Sequence, residues 1–285
     1  MKNYVSLIMD IEKSRTYTIE DRIEIQQYIL YCIEKLNELY EDNIERKVTF
    51  SAGDELQGLF NDVTTAVMYF RLLDMLLQPV KLRAGIGVGE WTIKVENYSS
   101  TYQDGPAYHK AREAIKQVYN NSLYNLKIIS DQDDIMANYL INATKNLKDQ
   151  QINMQNIVLN IWELFCPFVK TQVVLNKYQL LQELIGYKYA YEMGRKNNIA
   201  PLRKDYMDNL KLNFTNFTIV KPIIIDGKLE EVDKYLFVKN IDTLISEVLK
   251  CSRQNVNSIL KRGNSHKIKE LDYVALQYIE RNYKQ

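Results

Sequence analysis

The order of two apolar rhythms in the first ninety residues limits this chain to few folds. Tyr4-Val5-Ser6-Leu7-Ile8-Met9 is a continuous apolar run of strand length that ends at Asp10. Thr18, with Glu20 and Asp21 behind it, is a helix start, and Ile25, Ile29, Ile33, Leu36 and Leu39 keep helical spacing to about Tyr40. Lys47–Ser51 and Leu56–Phe60 predict two strands, joined by a hairpin loop of Ala52-Gly53-Asp54-Glu55. Asp62 caps a second helix whose inner face is Val63, Ala66, Val67, Phe70, Leu73 and Leu77, and Leu82–Val88 supplies a fourth strand. The order β-α-β-β-α-β predicts a ferredoxin-like α+β domain, with helices on one face of an antiparallel sheet. Only 10 glycines and 5 prolines among 285 residues argue against an all-β chain with many tight turns.

Several classes of function are excluded early. No apolar run approaches the roughly 20 residues that span a bilayer, and the N-terminus lacks a signal-peptide core, so no membrane partner is expected. Cys32, Cys166 and Cys251 form no CxxC pair, and the two histidines, His109 and His266, are too few for a histidine-rich metal centre. A reducing, cytoplasmic setting is expected. Residues 1–118 carry 14 Lys/Arg against 18 Asp/Glu, whereas residues 239–284 carry 9 against 5. The basic tail is a candidate for phosphate backbone, and a solvated helix surface would have the same charge.

Beyond residue 119 the patterns weaken. Leu126–Ile129 predicts an added strand, and helical spacing follows at about 131–147, 152–166 and 174–194. Phe217–Ile225 before Asp226-Gly227 suggests part of a hairpin or wing. The tail is clearer: Ile241–Leu249 and Ser252–Arg262 are short helices around the turn Lys250-Cys251, and Gly263 ends the second. That is the layout of a helix-turn-helix. Ser252, Arg253, Gln254 and Asn255 open the would-be recognition helix and Lys261 and Arg262 close it, side chains suited to bases and phosphates. The division expected is 1–130 for the sheet domain, 131–238 for a helical middle and 239–285 for the DNA-binding region.

The sharpest candidate site joins residues far apart in sequence. In the split βαβ sheet the first and third strands are antiparallel neighbours, so Asp10 lies beside the hairpin tip carrying Asp54 and Glu55. Gly53 allows a tight turn and close approach of a ligand. Carboxylates converging on one edge repel unless a cation or proton intervenes, and Mg²⁺ or Mn²⁺ with bound phosphates answers that need. Lys13 and Arg15 after the first strand can hold phosphate oxygens, or be solvated surface. Tyr102–Pro106 is a loop that could act as a lid, and His109 and Lys110, at the start of the next helix, could face substrate or belong to a capped helix terminus. Gly85-Ile86-Gly87-Val88-Gly89 lies within a strand, which favours close packing or a bulge over a phosphate loop. Trp91 and Trp162 are expected as core anchors.

These stretches resemble known families. Ala52-Gly53-Asp54-Glu55-Leu56 is similar to the hairpin signature of GGDEF diguanylate cyclases and their palm relatives, and Asp10-Ile11 to the metal-binding end of their first strand. Arg83–Glu90 resembles the fourth-strand region of class III nucleotide cyclases. The whole layout resembles the SatD family: Asp10–Arg15, Gly53–Gly58, Gly105–Arg112 and a helix-turn-helix at Leu244–Arg262 stand in its order. The resemblance implies a nucleotide cyclase-like palm domain coupled to DNA binding, acting as a homodimer. Asp10, Asp54 and the backbone of Ile11 would hold the metal. Ile11, Glu12, Lys13, Ser14, Arg15, Gly53 and Arg112 would meet the nucleotide, and Glu55 would be a further ligand or take the proton of an attacking hydroxyl. Class III cyclases pair Arg with an Asn four residues earlier, and here Tyr108 precedes Arg112. Two readings follow: a nucleotidyl cyclase making a cyclic product and pyrophosphate, or a nucleotide-sensing transcriptional regulator without turnover.

Overall fold

The computed structural model describes residues 2–170, 177–193, 212, 218–230 and 238–284. Strand β1 (Tyr4–Ile11) is the centre of a five-stranded sheet of order β2-β3-β1-β4-β5, with β2 Ile44–Ala52, β3 Glu55–Phe60, β4 Leu82–Gly89 and β5 Leu126–Ile129. β1 runs antiparallel to both β3 and β4, and β5 is parallel to β4. The first four strands and two helices thus follow the order predicted from the sequence. The hairpin is tighter than expected. Both strands extend into it, leaving Gly53 and Asp54 as a two-residue turn, and Gly53 takes the left-handed φ of 62° that such a turn favours.

The helices α1 (Ile19–Leu39) and α2 (Val63–Leu77) begin at the predicted caps: Thr18 Oγ1 accepts from the Asp21 amide and Asp62 from the Thr65 amide. They cover one face of the sheet, where Val5, Leu7, Met9 and Ile11 join the main core. A one-faced arrangement was expected, yet α3 (Pro106–Tyr119) covers the opposite face, packing Ala111 and Ile115 on Ile8 and Tyr108 on Leu59 and Trp91. The glycines of β4 make this possible. A Cβ on Gly87 would lie 2.1 Å from the Ala107 carbonyl oxygen, and one on Gly85 2.4 Å from that of Ala111. The Gly-x-Gly-x-Gly run is therefore a packing surface.

The helical pattern at 131–147 divides into α4 (Ile135–Asn142) and α5 (Lys145–Asp149), followed by α6 (Asn153–Phe165) and α7 (Tyr178–Met193). The starts and ends of the 174–194 pattern, and Phe217 of the suggested hairpin, lie outside the described residues. Ile223–Ile224 (β7) runs parallel to the distant Phe168–Val169 (β6), and among the described residues it pairs with no other strand. In the tail, α8 (Ile241–Leu249) and α9 (Arg253–Arg262) flank a turn in which Lys250 is left-handed. A third helix, α10 (Ser265–Asn282), went unread in the sequence. Trp162 is 1% exposed and Trp91 7%, both core anchors as expected.

A buried ionic network ties α2, α5, α6 and α10 together. Arg71 donates to Asp272 at 2.6 Å and to Glu163 at 2.9 Å, Lys269 donates to Glu163 at 2.6 Å, and Lys148 reaches Asp272 at 3.1 Å. Burial works to raise the pKa of both carboxyls, but Arg71 with Lys269 outweighs it at Glu163, and Lys148 with Arg71 at Asp272, leaving each at about 2. Removing one partner strands a buried charge, at a cost of about 3–5 kcal/mol.

Two outcomes are expected. Gly87→Ala, which forces a carbon against the α3 backbone, should lower unfolding free energy by about 1–3 kcal/mol in urea melts, and an unchanged midpoint would refute the close-packing account. Because both network carboxyls titrate lower in the folded state than in the unfolded chain, their stabilisation is present above about pH 4 and is lost as pH falls towards 2. Melts across that interval should show the loss, and it should shrink in Asp272→Asn.

Candidate functional site

Strand alternation sets Asp10 on the α3 face, opposite to its neighbours Met9 and Ile11. Its cross-strand partner on β4 is Arg83. On β3 the register pairs Met9 with Leu56, so one step further Glu55 stands across from Asp10. Asp54 is in the turn next to them. The sequence brought Asp10 to Asp54, and of the two neighbouring carboxylates Asp54 has the larger electrostatic effect on it, while the extrapolated register sets Glu55 across the strand. All three acids share one edge, and both Asp54 and Glu55 are near enough to push the Asp10 pKa upward.

Asp10 is 8% exposed and both of its oxygens are engaged. Arg83 Nε donates to Oδ1 at 3.1 Å, and the Tyr119 hydroxyl, from the last turn of α3, donates to Oδ2. The Arg83 guanidinium also stacks over the Tyr119 ring, 4.1 Å from its centroid. Burial raises the Asp10 pKa most, Arg83 opposes it through charge and hydrogen bonding, and the carboxyl is left at about 6. Glu55 Oε1 accepts from Ser51 Oγ at 2.7 Å and lies 3.9 Å from Arg112 Nη1, a guanidinium that is 55% exposed. The acidic edge is thus bracketed by two arginines. Among the described residues Asp54 has no side-chain partner, and no three His, Cys, Asp or Glu side chains cluster as a metal site.

Arg83 and Tyr119 are the residues that sequence reasoning missed. Arg83 was legible only as part of the glycine-rich strand motif. The signal for its role is the antiparallel register, which sets it opposite Asp10. Tyr119 had no local signal at all.

The other candidates divide. After β1 the chain turns at Lys13, which is left-handed (φ 56°), into a short 3-10 turn at Ser14–Thr16. Lys13 and Arg15 are exposed and Glu12 and Ser14 half-buried, beside the end of β1 that carries Asp10; the Ile11 side chain is core. Gln26 donates to the Gly53 carbonyl at 3.2 Å, tying α1 to the hairpin tip. Tyr108 is 2% exposed, packed on Leu59 and Trp91, and hydrogen-bonded with Ser100. The loop before α3 is fastened down: Gln103 bonds Trp91 Nε1, both backbone groups of Val95, and the carbonyls of Tyr98 and Ser99. A loop so held makes a poor lid. His109 pairs with Asp104 at 3.2 Å, while Lys110 is drawn to the Val88 carbonyl and to Asp131. His109 thus binds the loop before α3, and Lys110 ties the helix to β4 and to the segment after β5.

In the tail, Ser252, Arg253, Gln254, Asn255, Lys261 and Arg262 are all exposed. Ser252 spends its hydroxyl on the cap, accepting from the Asn255 amide at 3.2 Å. Arg253 Nε donates to Asp242 at 2.7 Å.

Labelled-aspartate carbon NMR should place the Asp10 titration midpoint near 6. Arg83→Met should move it higher, since the guanidinium favours the ionised form. A midpoint near 4 in the wild type would contradict the burial described here.

Comparison with known proteins gives a family match over residues 4–213, to the model of the SatD family. No curated protein matches the sequence. Among solved structures, the chain is similar to a bacterial light-regulated adenylyl cyclase, at 14% identity over 44% of this chain and 74% of that one, with a TM-score of 0.35. It is also similar to the active GGEEF domain of a diguanylate cyclase from Vibrio cholerae, at 11% identity over 46% and 85%, with a TM-score of 0.30.

Proposed function

This chain belongs to the SatD family, and on that premise we propose that it is a nucleotide-binding regulator, whose sheet edge takes a nucleotide and whose C-terminal helices contact DNA. The observation that carries this reading is the mixed-charge edge itself: Asp10, Asp54 and Glu55 gathered between Arg83 and Arg112, beside the exposed Lys13 and Arg15. Guanidinium groups suit phosphate oxygens, and paired carboxylates suit the cation that accompanies a polyphosphate.

The donor set is all oxygen, Asp10 and Asp54 carboxylates with the Ile11 carbonyl, which is the chemistry of Mg²⁺ or Mn²⁺. The ion, when bound, would neutralise phosphate charge. Asp10 can join it only once Arg83 and Tyr119 withdraw. Lys13, Arg15 and Arg112 would then orient the phosphates, with Ser14 and Gly53 lining the approach.

Sensing is favoured over turnover by Tyr108. A cyclase of the class III type needs a polar amide beside its arginine, and here that position is a buried phenol bonded to Ser100. For DNA, the reading rests on α8 and α9 around the Lys250 turn, with Arg253, Gln254, Asn255, Lys261 and Arg262 exposed; used as a helix-turn-helix, such a pair would act as a homodimer on two half-sites.

The test is to incubate the protein with each NTP and Mg²⁺ or Mn²⁺, resolve products by mass, and follow binding to genomic fragments with and without nucleotide. Saturable nucleotide binding without product, and a DNA affinity that changes with nucleotide and falls in Arg253→Ala, is the expected result. A cyclic product that disappears in Asp54→Ala would establish the cyclase reading instead. Neither binding nor product would refute both.

A further inference from the structure

We infer that Arg83 and Tyr119 form a latch on Asp10, which keeps a divalent cation off the sheet edge until both are displaced. The inference rests on the nucleotide-site reading above and adds a gate to it. It starts from saturation. A carboxylate offers two oxygens, and here one accepts from Arg83 Nε at 3.1 Å and the other from the Tyr119 hydroxyl. The first donor is itself a cation. It supplies the charge that a metal would otherwise bring to a carboxylate buried next to Asp54 and Glu55. The second donor caps the remaining oxygen.

The two donors support one another. The guanidinium carbon lies over the phenol ring, 4.1 Å from its centroid, so each holds the other in place beside the acid. They also come from different elements, β4 and α3, which the Gly85 and Gly87 contacts lock together. The backbones are therefore fixed, and opening requires only the two side chains to rotate. Neither is sealed in the interior: Tyr119 is 47% exposed, and the Arg83 side chain 23%. Asp54, by contrast, needs no release, since among the described residues its carboxylate has no partner. The latch thus governs one ligand of the pair. A metal arriving with polyphosphate brings negative charge that can take Arg83 from Asp10, whereas a bare ion brings none.

The readout is Mn²⁺ affinity, measured on the full chain by electron paramagnetic resonance of free ion. Wild type should bind Mn²⁺ alone weakly. Arg83→Ala should bind it at least tenfold more tightly, with Asp10→Asn abolishing the gain. Removing a positive charge would favour any cation, so Tyr119→Phe is the discriminating variant. It changes no charge, frees one Asp10 oxygen, and sits at an exposed position where folding is undisturbed; it should tighten Mn²⁺ binding several-fold. Equal affinity in Tyr119→Phe and wild type would overturn the latch while leaving the nucleotide site standing. Binding that is weak in all variants, with or without ATP, would overturn the latch and the metal-site reading together.

Discussion

Everything at the sheet edge depends on how closely α3 approaches β4. Helix and strand backbones meet with no room for a single carbon at Gly85 or Gly87, and the small residues Ala107, Ala111 and Ala114 form the helix side of that contact. Contact at this distance fixes the rotation of α3 about its axis as well as its height along the strand. Arg112 and Tyr119, two turns apart on that helix, are consequently delivered to Glu55 and Asp10. A bulkier strand would hold the helix away, and neither side chain would reach the acids.

A second constraint acts on the other face. There the sheet helices meet the C-terminal ones through charges as well as apolar contact, and Arg71 of α2 is the hub, bonded at once to α6 and α10. Buried ionic groups contribute little net stability compared with apolar packing, but they tolerate few alternative arrangements, because any misplacement leaves a charge unpaired in the interior. The main hydrophobic core runs without interruption from β1 through α2 and α6 to α10.

The site was partly legible. Local signals were strong wherever a single element carried them: the cap at Thr18, the turn at Gly53, the apolar run ending at Asp10, and the helix pair around Lys250. They were weaker in the middle of the chain, where Asn-rich helices broke at unmarked points, and absent for α10, whose buried Lys269 and Asp272 look like surface residues in sequence. Arg83 illustrates the limit. Its neighbours drew attention as a glycine motif, while its own role depends on which residue of another strand faces it.

The sequence by itself determined the order of the first four strands and two helices, their split βαβ topology, and the convergence of distant acids on one edge. These follow from periodicity and turn chemistry, which operate over a few residues and need no knowledge of the whole. Tertiary structure alone decided that α3 lies on the opposite face, that Glu55 rather than Asp54 is level with Asp10, and that an arginine and a tyrosine complete the carboxylate's hydrogen bonds. Register and packing distance set those outcomes. A shift of one residue in a strand sends its side chains to the other face, and no local pattern records which shift the folded chain adopts.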